Sequence, residues 1–300
     1  MNRFLLLFID GIGLGRATRE NPFTRDELPG FTLLSDGQQW TDESVTVNRD
    51  GISFQHIDAC LDIPGLPQSG TGQATLFTGV NCAALAGRHF GPFPHSTSRQ
   101  VIAEHNILKE IGIIGGSAVF VNAYPPKFFD YVRRRNRWSV TTRCCLDSGT
   151  PIRTLDDLIE GRALAADITG ARLQAHLGPC VDTITEEEAA RRLSDIAARH
   201  SFTAFEYFLT DKAGHARSID AATECLRSID RLVAGLAARA FNQEFTLIVT
   251  SDHGNMEDLS VKTHTRNRVP LAVFGPDADA FHGASSLTDV VPSILRALSG

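Results

Sequence analysis

The sequence lacks an excess of basic residues: its 29 Lys and Arg are outnumbered by 35 Asp and Glu, which gives a net charge of -6. Proteins that bind nucleic acid normally carry a basic face, so this balance argues against DNA or RNA as a partner. The sequence also has no apolar run that approaches the roughly 20 residues needed to span a bilayer. We therefore expect a protein that binds neither nucleic acid nor a membrane.

Cysteine is present, but not in an arrangement typical of a metal finger. The six Cys show none of the paired spacings of such sites, and Cys144 and Cys145 are adjacent, a poor geometry for pairing with each other. Reduced thiols in a cytoplasmic protein are the simpler interpretation. The N-terminal stretch MNRFLLLFIDGIGLG has a short apolar run that ends at Asp10 without a small-residue cleavage site, which predicts a strand and not a signal peptide.

Apolar strands alternate with amphipathic helices along most of the chain. Predicted strands cover 3–9, 117–123, 203–209, 244–251 and 269–275, and predicted helices cover the stretches 98–112, 186–200, 219–236 and 288–300. Alternation of buried strands with helices is typical of a largely parallel sheet that is flanked by helices on both faces. The sequence therefore predicts an α/β protein with a three-layer sandwich and a mostly parallel central sheet.

One stretch, 123–184, interrupts this alternation, because it is rich in Pro, Arg and short segments. We interpret it as a small cap or insertion. The α/β core would then consist of residues 1–122 and 185–300.

Acidic residues and histidines lie next to several predicted strands. Alone, each such position is compatible with a turn, since Asp, Gly and Asn favour chain reversal. Ligands of open α/β sheets, however, bind beyond the carboxyl ends of the strands, and four such positions at one edge favour a metal site. Carboxylate oxygen and imidazole nitrogen together suit zinc, manganese or iron better than calcium. The residues are Asp10, Asp211, His215, Asp252, His253 and His264.

The stretch LPQSGTGQATLFTG, residues 66–79, places small residues around Ser69 and Thr71 before an apolar, helix-like segment. A hydroxyl at a helix N-terminus lies where a phosphate group is stabilised. The stretch does not match the G-x-S-x-G elbow of triad hydrolases, because Pro67 replaces the first Gly. The alternative is that Ser69 or Thr71 serves only as an N-cap.

The ordered motifs DGIG, QSGTGQ, TDKAGH, SDHGN and THTRNRVP resemble those of the alkaline phosphatase superfamily. They are most similar to the branch of cofactor-independent phosphoglycerate mutase and phosphopentomutase, over about residues 1–82 and 200–300. The resemblance implies an alkaline-phosphatase-like core that holds two divalent ions, with Mn or Zn expected. One ion would be bound by Asp211, His215 and His264. The second would be bound by Asp10, Asp252 and His253 and reached by Ser69 as the nucleophile, with Thr71 as the fallback.

Two departures from the mutases bear on the reaction. The mutases have His at the position of Gln73, and their cap is much larger than the stretch 123–184. In mutases the cap protects the phosphorylated intermediate from water. We therefore expect a phosphatase that acts on a phosphate monoester through a phosphoserine intermediate, with a phosphomutase as the alternative. A sulfatase or phosphodiesterase of the same superfamily is a further alternative.

Two other classes of protein are less compatible with the sequence. The stretch GIGLG after the first strand suggests dinucleotide binding, but its spacing is G-x-G-x-G and the fingerprint is incomplete. A non-catalytic metal-binding protein is the other alternative. The presence of every ligand and of the nucleophile argues against it.

The part of a small phosphorylated substrate that does not react is expected to contact basic residues near the cap, since Arg grips carboxylate or phosphate with two hydrogen bonds. The run RRRNR, 133–137, could equally be a solvated face. The candidates for these substrate contacts are Gln73, Arg88, His89, His95, Arg99, Lys127, Arg133, Arg134 and Arg135.

No feature of the sequence sets the oligomeric state.

Overall fold

A computed structural model describes residues 2–179, 181–242 and 245–299, and its strands form one seven-stranded sheet. The order across the sheet is β2-β3-β7-β6-β1-β5-β4. The strands are β1 (Phe4–Ile9), β2 (Val47–Arg49), β3 (Ile52–Ile57), β4 (Ala118–Phe120), β5 (Phe202–Tyr207), β6 (Thr246–Thr250) and β7 (Val269–Phe274).

Most strands run in one direction. Strands β4, β5, β1 and β6 are parallel neighbours, whereas β7 is antiparallel to β6. Strand β3 is antiparallel to β7 and so points the same way as β1, and β2 reverses again. The mixed, mostly parallel sheet confirms the predicted α/β fold.

Helices cover both faces of this sheet. One face packs on α1 (Pro29–Leu34), α10 (Glu186–Ala197) and α12 (Ile219–Phe241), and the other on α2 (Ser69–Thr78), α4 (Ser96–His105), α5 (Ile107–Ile113), α7 (Val140–Ser148) and α13 (Val290–Ser299). The remaining helices are α3 (Cys82–Ala86), α6 (Pro126–Arg135), α8 (Leu155–Ile159), α9 (Ala171–Leu177) and α11 (Leu209–Ala216).

The long helix α12 shows why the apolar spacing was informative. Its residues Ala222, Leu226, Ile229, Val233 and Leu236 are all buried against the sheet. Each large aliphatic side chain buried in this way stabilises the fold by roughly 1.5–3 kcal/mol. None of the described helices is long and apolar enough to cross a membrane.

The predicted helical stretch 98–112 is two helices, because the chain turns at Asn106. This residue has an extended backbone (φ -90°, ψ 151°), and its side chain accepts a hydrogen bond from the N–H of Lys109, which starts α5. Thr185 and Glu188 have the spacing of a capping box at the start of α10, but only half of it is present. Thr185 Oγ1 accepts from the N–H of Glu188 at 3.2 Å, but the Glu188 carboxylate pairs with Arg191.

Strand β3 was not predicted. Its sequence, ISFQHI, mixes apolar and polar side chains, yet its polar residues Ser53 and Gln55 are buried and bonded to each other. The strand matters for the site because its carboxyl end lies at the same edge of the sheet as that of β1. The chain leaves this edge and returns with Ser69 at the start of α2.

The stretch 123–184 contains α6, α7, α8 and α9. Helix α7 packs against α2, α4 and α5, and it buries Val140, Cys144 and Cys145 in the core beneath them. The outer part has a small apolar cluster of its own, centred on Leu158, Ala163 and Val181.

The domain boundaries at 123 and 184 stay a prediction. Three residues of the predicted segments lie outside the described residues: Cys180 in the stretch 123–184, Glu244 at the start of a predicted strand, and Gly300 at the end of the last predicted helix.

Candidate active site

The predicted ligands converge at the carboxyl edge of the sheet. Asp10 follows β1, Asp211 lies in α11 after β5, and Asp252 and His253 follow β6. His264 precedes β7, which starts at this same edge because it runs antiparallel to β6. The side chains form two groups whose ligand atoms lie within 4.8 Å of one another: Asp10, Asp252 and His253, and Asp211, His253 and His264.

The first group contains buried carboxylate oxygens without hydrogen bonds. Both oxygens of Asp252 and Oδ1 of Asp10 have no hydrogen-bond partner, although Asp252 is fully buried. His253 Nε2 lies 3.2 Å from Asp10 Oδ1 and 3.5 Å from Asp252 Oδ2. Unpaired buried polar atoms cost free energy unless a water or an ion satisfies them. This donor set therefore fits a divalent cation.

The predicted set of Asp211, His215 and His264, in which His215 stands in place of His253, has its imidazoles oriented for the same purpose. His264 Nδ1 lies 2.6 Å from the carbonyl oxygen of Pro67, and His215 Nδ1 lies 2.9 Å from that of Lys262. A carbonyl only accepts, so each neutral ring carries its proton on Nδ1 and a lone pair on Nε2. The two Nε2 atoms face each other at 3.2 Å and lie 3.4–3.5 Å from the carboxylate of Asp211. Two facing lone pairs beside a carboxylate again fit a cation.

His215 is the most accessible residue of this set, with 47% of its side chain exposed. It contacts both Asp211 and His264, so all six predicted metal ligands lie in one continuous cluster.

The pKa values of the cluster reflect burial and crowded negative charge. Burial raises the pKa of Asp252 well above its ordinary value, and the charge of Asp10 adds to the rise. Burial by itself lowers the pKa of His253, but the charges of Asp252 and Asp10 outweigh it and raise the pKa to about 10. Burial and the neighbouring His253 lower the pKa of His264 to about 4. The cluster thus attracts positive charge, and His264 remains a neutral donor.

Ser69 reaches this cluster. Its Oγ lies 3.0 Å from His253 Nε2, at the first residue of α2. The N-cap of α2 is Gln68, which makes no side-chain capping bond, so the alternative of Ser69 or Thr71 as N-cap is wrong. The first turn can approach because Gly72 has no side chain: a Cβ there would lie 2.7 Å from the carbonyl oxygen of Asp252.

Thr71 is placed differently from Ser69. It is fully buried, and its hydroxyl lies 3.2 Å from the carbonyl oxygen of Gln68 and accepts from the N–H of Phe90 at 3.1 Å. These bonds hold the segment after α3 against the first turn of α2.

The predicted substrate residues are scattered. Gln73 lies in the cluster, where its Nε2 donates to Asp10 Oδ2 at 3.3 Å. His89 contacts the carbonyl oxygen of Ile63, His95 caps α4, and Arg99 lines a cavity beside the segment 90–94. The remaining predicted substrate residues are exposed on the surface: Arg88, Lys127, Arg133, Arg134 and Arg135.

The sequence analysis did not single out Glu257 and Asn255. The amide of Asn255 donates to Asp211 Oδ1 at 2.6 Å. Glu257 is buried and accepts from the backbone N–H of Gly13 at 2.9 Å and of Asn255 at 2.7 Å, and from the side chains of Thr265 and Asn267. It therefore ties together three loops that carry ligands. Its position two residues after Asn255 in SDHGNMED was the available signal.

Glu206 is a second buried acid that was not singled out. Burial raises its pKa to about 7, and the charge of Asp10 adds to the rise. Its Oε2 accepts from Thr141 Oγ1 at 2.8 Å. The signal in the sequence was a charged residue within the apolar strand TAFEYFL.

Comparisons with known proteins show what this chain is similar to. Residues 165–299 match the family model of the Metalloenzyme superfamily. The 2,3-bisphosphoglycerate-independent phosphoglycerate mutase of Ehrlichia canis is 29% identical over 129 residues, which is 39% of this chain and 26% of that protein. The enzyme of the same name from Haloquadratum walsbyi is 31% identical over 102 residues, 31% of this chain and 20% of that protein. The chain thus aligns with about a quarter or less of the length of these relatives.

Solved structures share the fold across the whole chain. The PH0037 protein of Pyrococcus horikoshii has a TM-score of 0.59 at 14% identity and covers 99% of this chain and 97% of its own. The alkaline phosphatase of the Antarctic bacterium TAB5 has a TM-score of 0.55 at 14% identity and covers 100% and 99%. The family match over residues 165–299, the relatives and the shared fold agree with the resemblance carried by the motifs: this chain is similar to the alkaline-phosphatase-like proteins of the Metalloenzyme superfamily.

Proposed function

We propose that this protein is a metal-dependent phosphoryl-transfer enzyme that acts on small phosphate monoesters through Ser69. The observation that carries the proposal is the contact of Ser69 Oγ with His253 Nε2, 3.0 Å, where two groups of Asp and His side chains meet. A hydroxyl in this position supports nucleophilic catalysis.

The residues that would hold the metal ions are the six predicted ligands. Asp211, His215 and His264 would hold one, and Asp10, Asp252 and His253 the other, with Ser69 beside it. When bound, two divalent ions would favour ionisation of the attacking hydroxyl and neutralise charge on the phosphoryl oxygens. Mn²⁺ and Zn²⁺ suit the donor set, and Mg²⁺ joins them as an ion to test because a mutant of the TAB5 phosphatase is described with Mg bound.

The chain's own residues would position and transfer the phosphoryl group. Ser69 Oγ would lose its proton and attack phosphorus, the bond to the leaving oxygen would break, and that oxygen would take up a proton as Ser69 becomes phosphoserine. Water would then attack the phosphoserine, which restores the Ser69 hydroxyl and releases inorganic phosphate. In the first turn of α2 the N–H of Thr71 donates to the Phe90 carbonyl oxygen and that of Gly72 to the Gln68 carbonyl oxygen, so the N–H groups of Ser69 and Gly70 are the ones that would stabilise an anion at this end of the helix. Gln73 holds Asp10 through its amide, which orients that carboxylate.

Hydrolysis is the proposed outcome, because Gln73 stands where the mutases have His and the stretch 123–184 is short. The second candidate is a phosphomutase, which the names of the curated relatives favour. A sulfatase or phosphodiesterase of the same fold and a non-catalytic metal-binding protein are the remaining alternatives.

A direct assay separates these candidates. Protein loaded with Mn²⁺, Zn²⁺ or Mg²⁺ is tested on 4-nitrophenyl phosphate, on the corresponding phosphodiester and on the sulfate. We expect the monoester to be preferred, inorganic phosphate to be released, and acid-trapped label to map to the Ser69 peptide. A phosphoglycerate is the fourth substrate, because its free hydroxyl can receive the phosphoryl group, and its quantitative conversion to the isomeric ester without free phosphate would instead establish a mutase. Inactivity on all four substrates with both metals bound would contradict an enzymatic role.

A further inference from the structure

A cavity of about 440 Å³ lies beside the segment 90–94. This volume is in the range of small-molecule sites. Its lining combines aromatic rings with guanidinium groups, namely Phe90, Phe93, Trp138, Arg99, Arg137 and Arg143.

The cavity adjoins the turn that carries Ser69. Phe90 makes two hydrogen bonds to Thr71: its carbonyl oxygen accepts from the Thr71 N–H at 2.9 Å, and its N–H donates to Thr71 Oγ1 at 3.1 Å. A Cβ on Gly91 would lie 3.3 Å from the backbone nitrogen of Ser69. The segment 90–93 therefore lies between the turn that carries Ser69 and the cavity, which it lines.

The cavity is cationic, although the chain as a whole carries a net charge of -6. No Asp or Glu is among its lining residues, whereas four other cavities in the described part of the chain each include at least one. Arg143 is paired with Asp147 at 2.6 Å. Within residues 2–179, 181–242 and 245–299, neither Arg99 nor Arg137 has a carboxylate partner in an ion pair. Two guanidinium groups are thus available to an anion.

The aromatic side chains give the cavity flat apolar walls. The guanidinium of Arg137 lies 5.7 Å from the centroid of the Phe93 ring, and Trp138 follows it in the chain. Aromatic rings and planar guanidinium groups favour a planar ligand between them.

We propose that this cavity is the leaving-group pocket, and that the preferred substrates are phosphate monoesters whose leaving group joins a planar ring to a second anionic group. The proposal rests on the proposed function, because it assigns the phosphate to Ser69. Arg99 and Arg137 bind the second anion, and the rings of Phe90, Phe93 and Trp138 flank the planar part. The predicted residues Arg133, Arg134 and Arg135 are exposed on α6 and do not line the pocket.

The test compares substrates that differ in one feature at a time. With the metal-loaded enzyme, kcat/KM is measured for 4-carboxyphenyl phosphate, phenyl phosphate, phosphoglycolate and ethyl phosphate. We expect 4-carboxyphenyl phosphate to be the best of the four. Arg99→Gln and Arg137→Gln should each lower its kcat/KM by roughly tenfold or more, because a charged hydrogen bond is lost, and that of phenyl phosphate by less than about threefold. Arg134→Gln, the matched control, should change neither.

A binding measurement separates this proposal from the proposed function. Calorimetry is used to compare 4-phosphonobenzoate, which cannot be hydrolysed, with phenylphosphonate. If the first binds more tightly and Arg99→Gln and Arg137→Gln abolish the difference, the pocket is supported even if no ester is turned over, in which case only the enzymatic function fails. If turnover occurs but the carboxylate confers no advantage, or the variants affect both ligands equally, the pocket assignment is overturned while the phosphatase stands.

Discussion

The imidazole rings of His253 and His264 are stacked, with centroids 3.8 Å apart and planes inclined by 15°. The two residues come from different strand ends and belong to different predicted metal groups. Their contact joins the two groups into one unit, and each ring fixes the orientation of the other. A substitution in one group should therefore also affect the orientation of the ligands in the other.

The first prediction concerns metal content. His264→Ala removes a ligand from one group, and no spare protein ligand replaces it, so the bound divalent ions should fall from about two to about one per chain. Mass spectrometry of the metals in dialysed protein measures this. His176→Ala, which alters an exposed histidine on α9, is the control and should bind the full complement. Retention of both ions by His264→Ala would contradict the ligand assignment.

The second prediction concerns the nucleophile. Ser69→Ala should retain its metals and fold yet lose about 10³-fold or more in kcat, because covalent catalysis is removed. Thr71→Ser is the control, since it keeps the hydroxyl that accepts from Phe90, and it should stay within a few fold of the parent. Thr71→Ala should instead lower the free energy of unfolding by about 1–3 kcal/mol, because the Phe90 N–H loses its acceptor. A label on residue 71 after acid trapping would reverse the assignment.

The third prediction concerns Glu257 as a positioning residue. Glu257→Ala leaves the N–H groups of Gly13 and Asn255 without their acceptor, which loosens the loops that carry the ligands. We expect metal affinity to fall by roughly 10- to 100-fold, as for residues that orient metal ligands. Titration of the metal-free protein with Mn²⁺ gives this value. Asp258→Ala should have little effect, because Asp258 bonds to the nearby Ser260. Unchanged metal affinity in Glu257→Ala would show that its bonds only stabilise the fold.

The fourth prediction concerns pH. Burial raises the pKa of Glu206 from 4.5 to about 7, so the folded protein binds this proton more tightly than the unfolded chain. Stability from this group is therefore full below about pH 4.5 and is lost as pH rises through about 7. In chelator-treated protein, Glu206→Gln should remove that decline and be more stable than the parent at pH 8 by an amount on the order of 3 kcal/mol. Urea unfolding across this pH range tests it, with the exposed Glu43→Gln as the control. Parallel curves for Glu206→Gln and the parent would contradict it.

Much of the fold followed from short-range pattern. The continuous apolar runs of β1, β5, β6 and β7 predicted buried strands, and the spacing of apolar residues in α12 predicted its buried face, because both patterns depend only on local geometry. Strand β3 did not show such a pattern, since its buried polar residues Ser53 and Gln55 satisfy each other in the folded protein. The break at Asn106 likewise depends on one side chain that favours capping over helix continuation.

The sequence by itself determined the strand ends, the ligand types and the family resemblance, because these are carried by residue identity and by spacing over a few positions. Tertiary structure alone decided which atoms meet. The antiparallel course of β7 brings His264 to the same edge as Asp10, and strand β3 leads the chain to Ser69 beside His253. The bonds of Glu257 and the cationic pocket of Arg99 and Arg137 join segments far apart in the chain. Such contacts depend on how the sheet is ordered and on which loops pack together, and no local spacing encodes that.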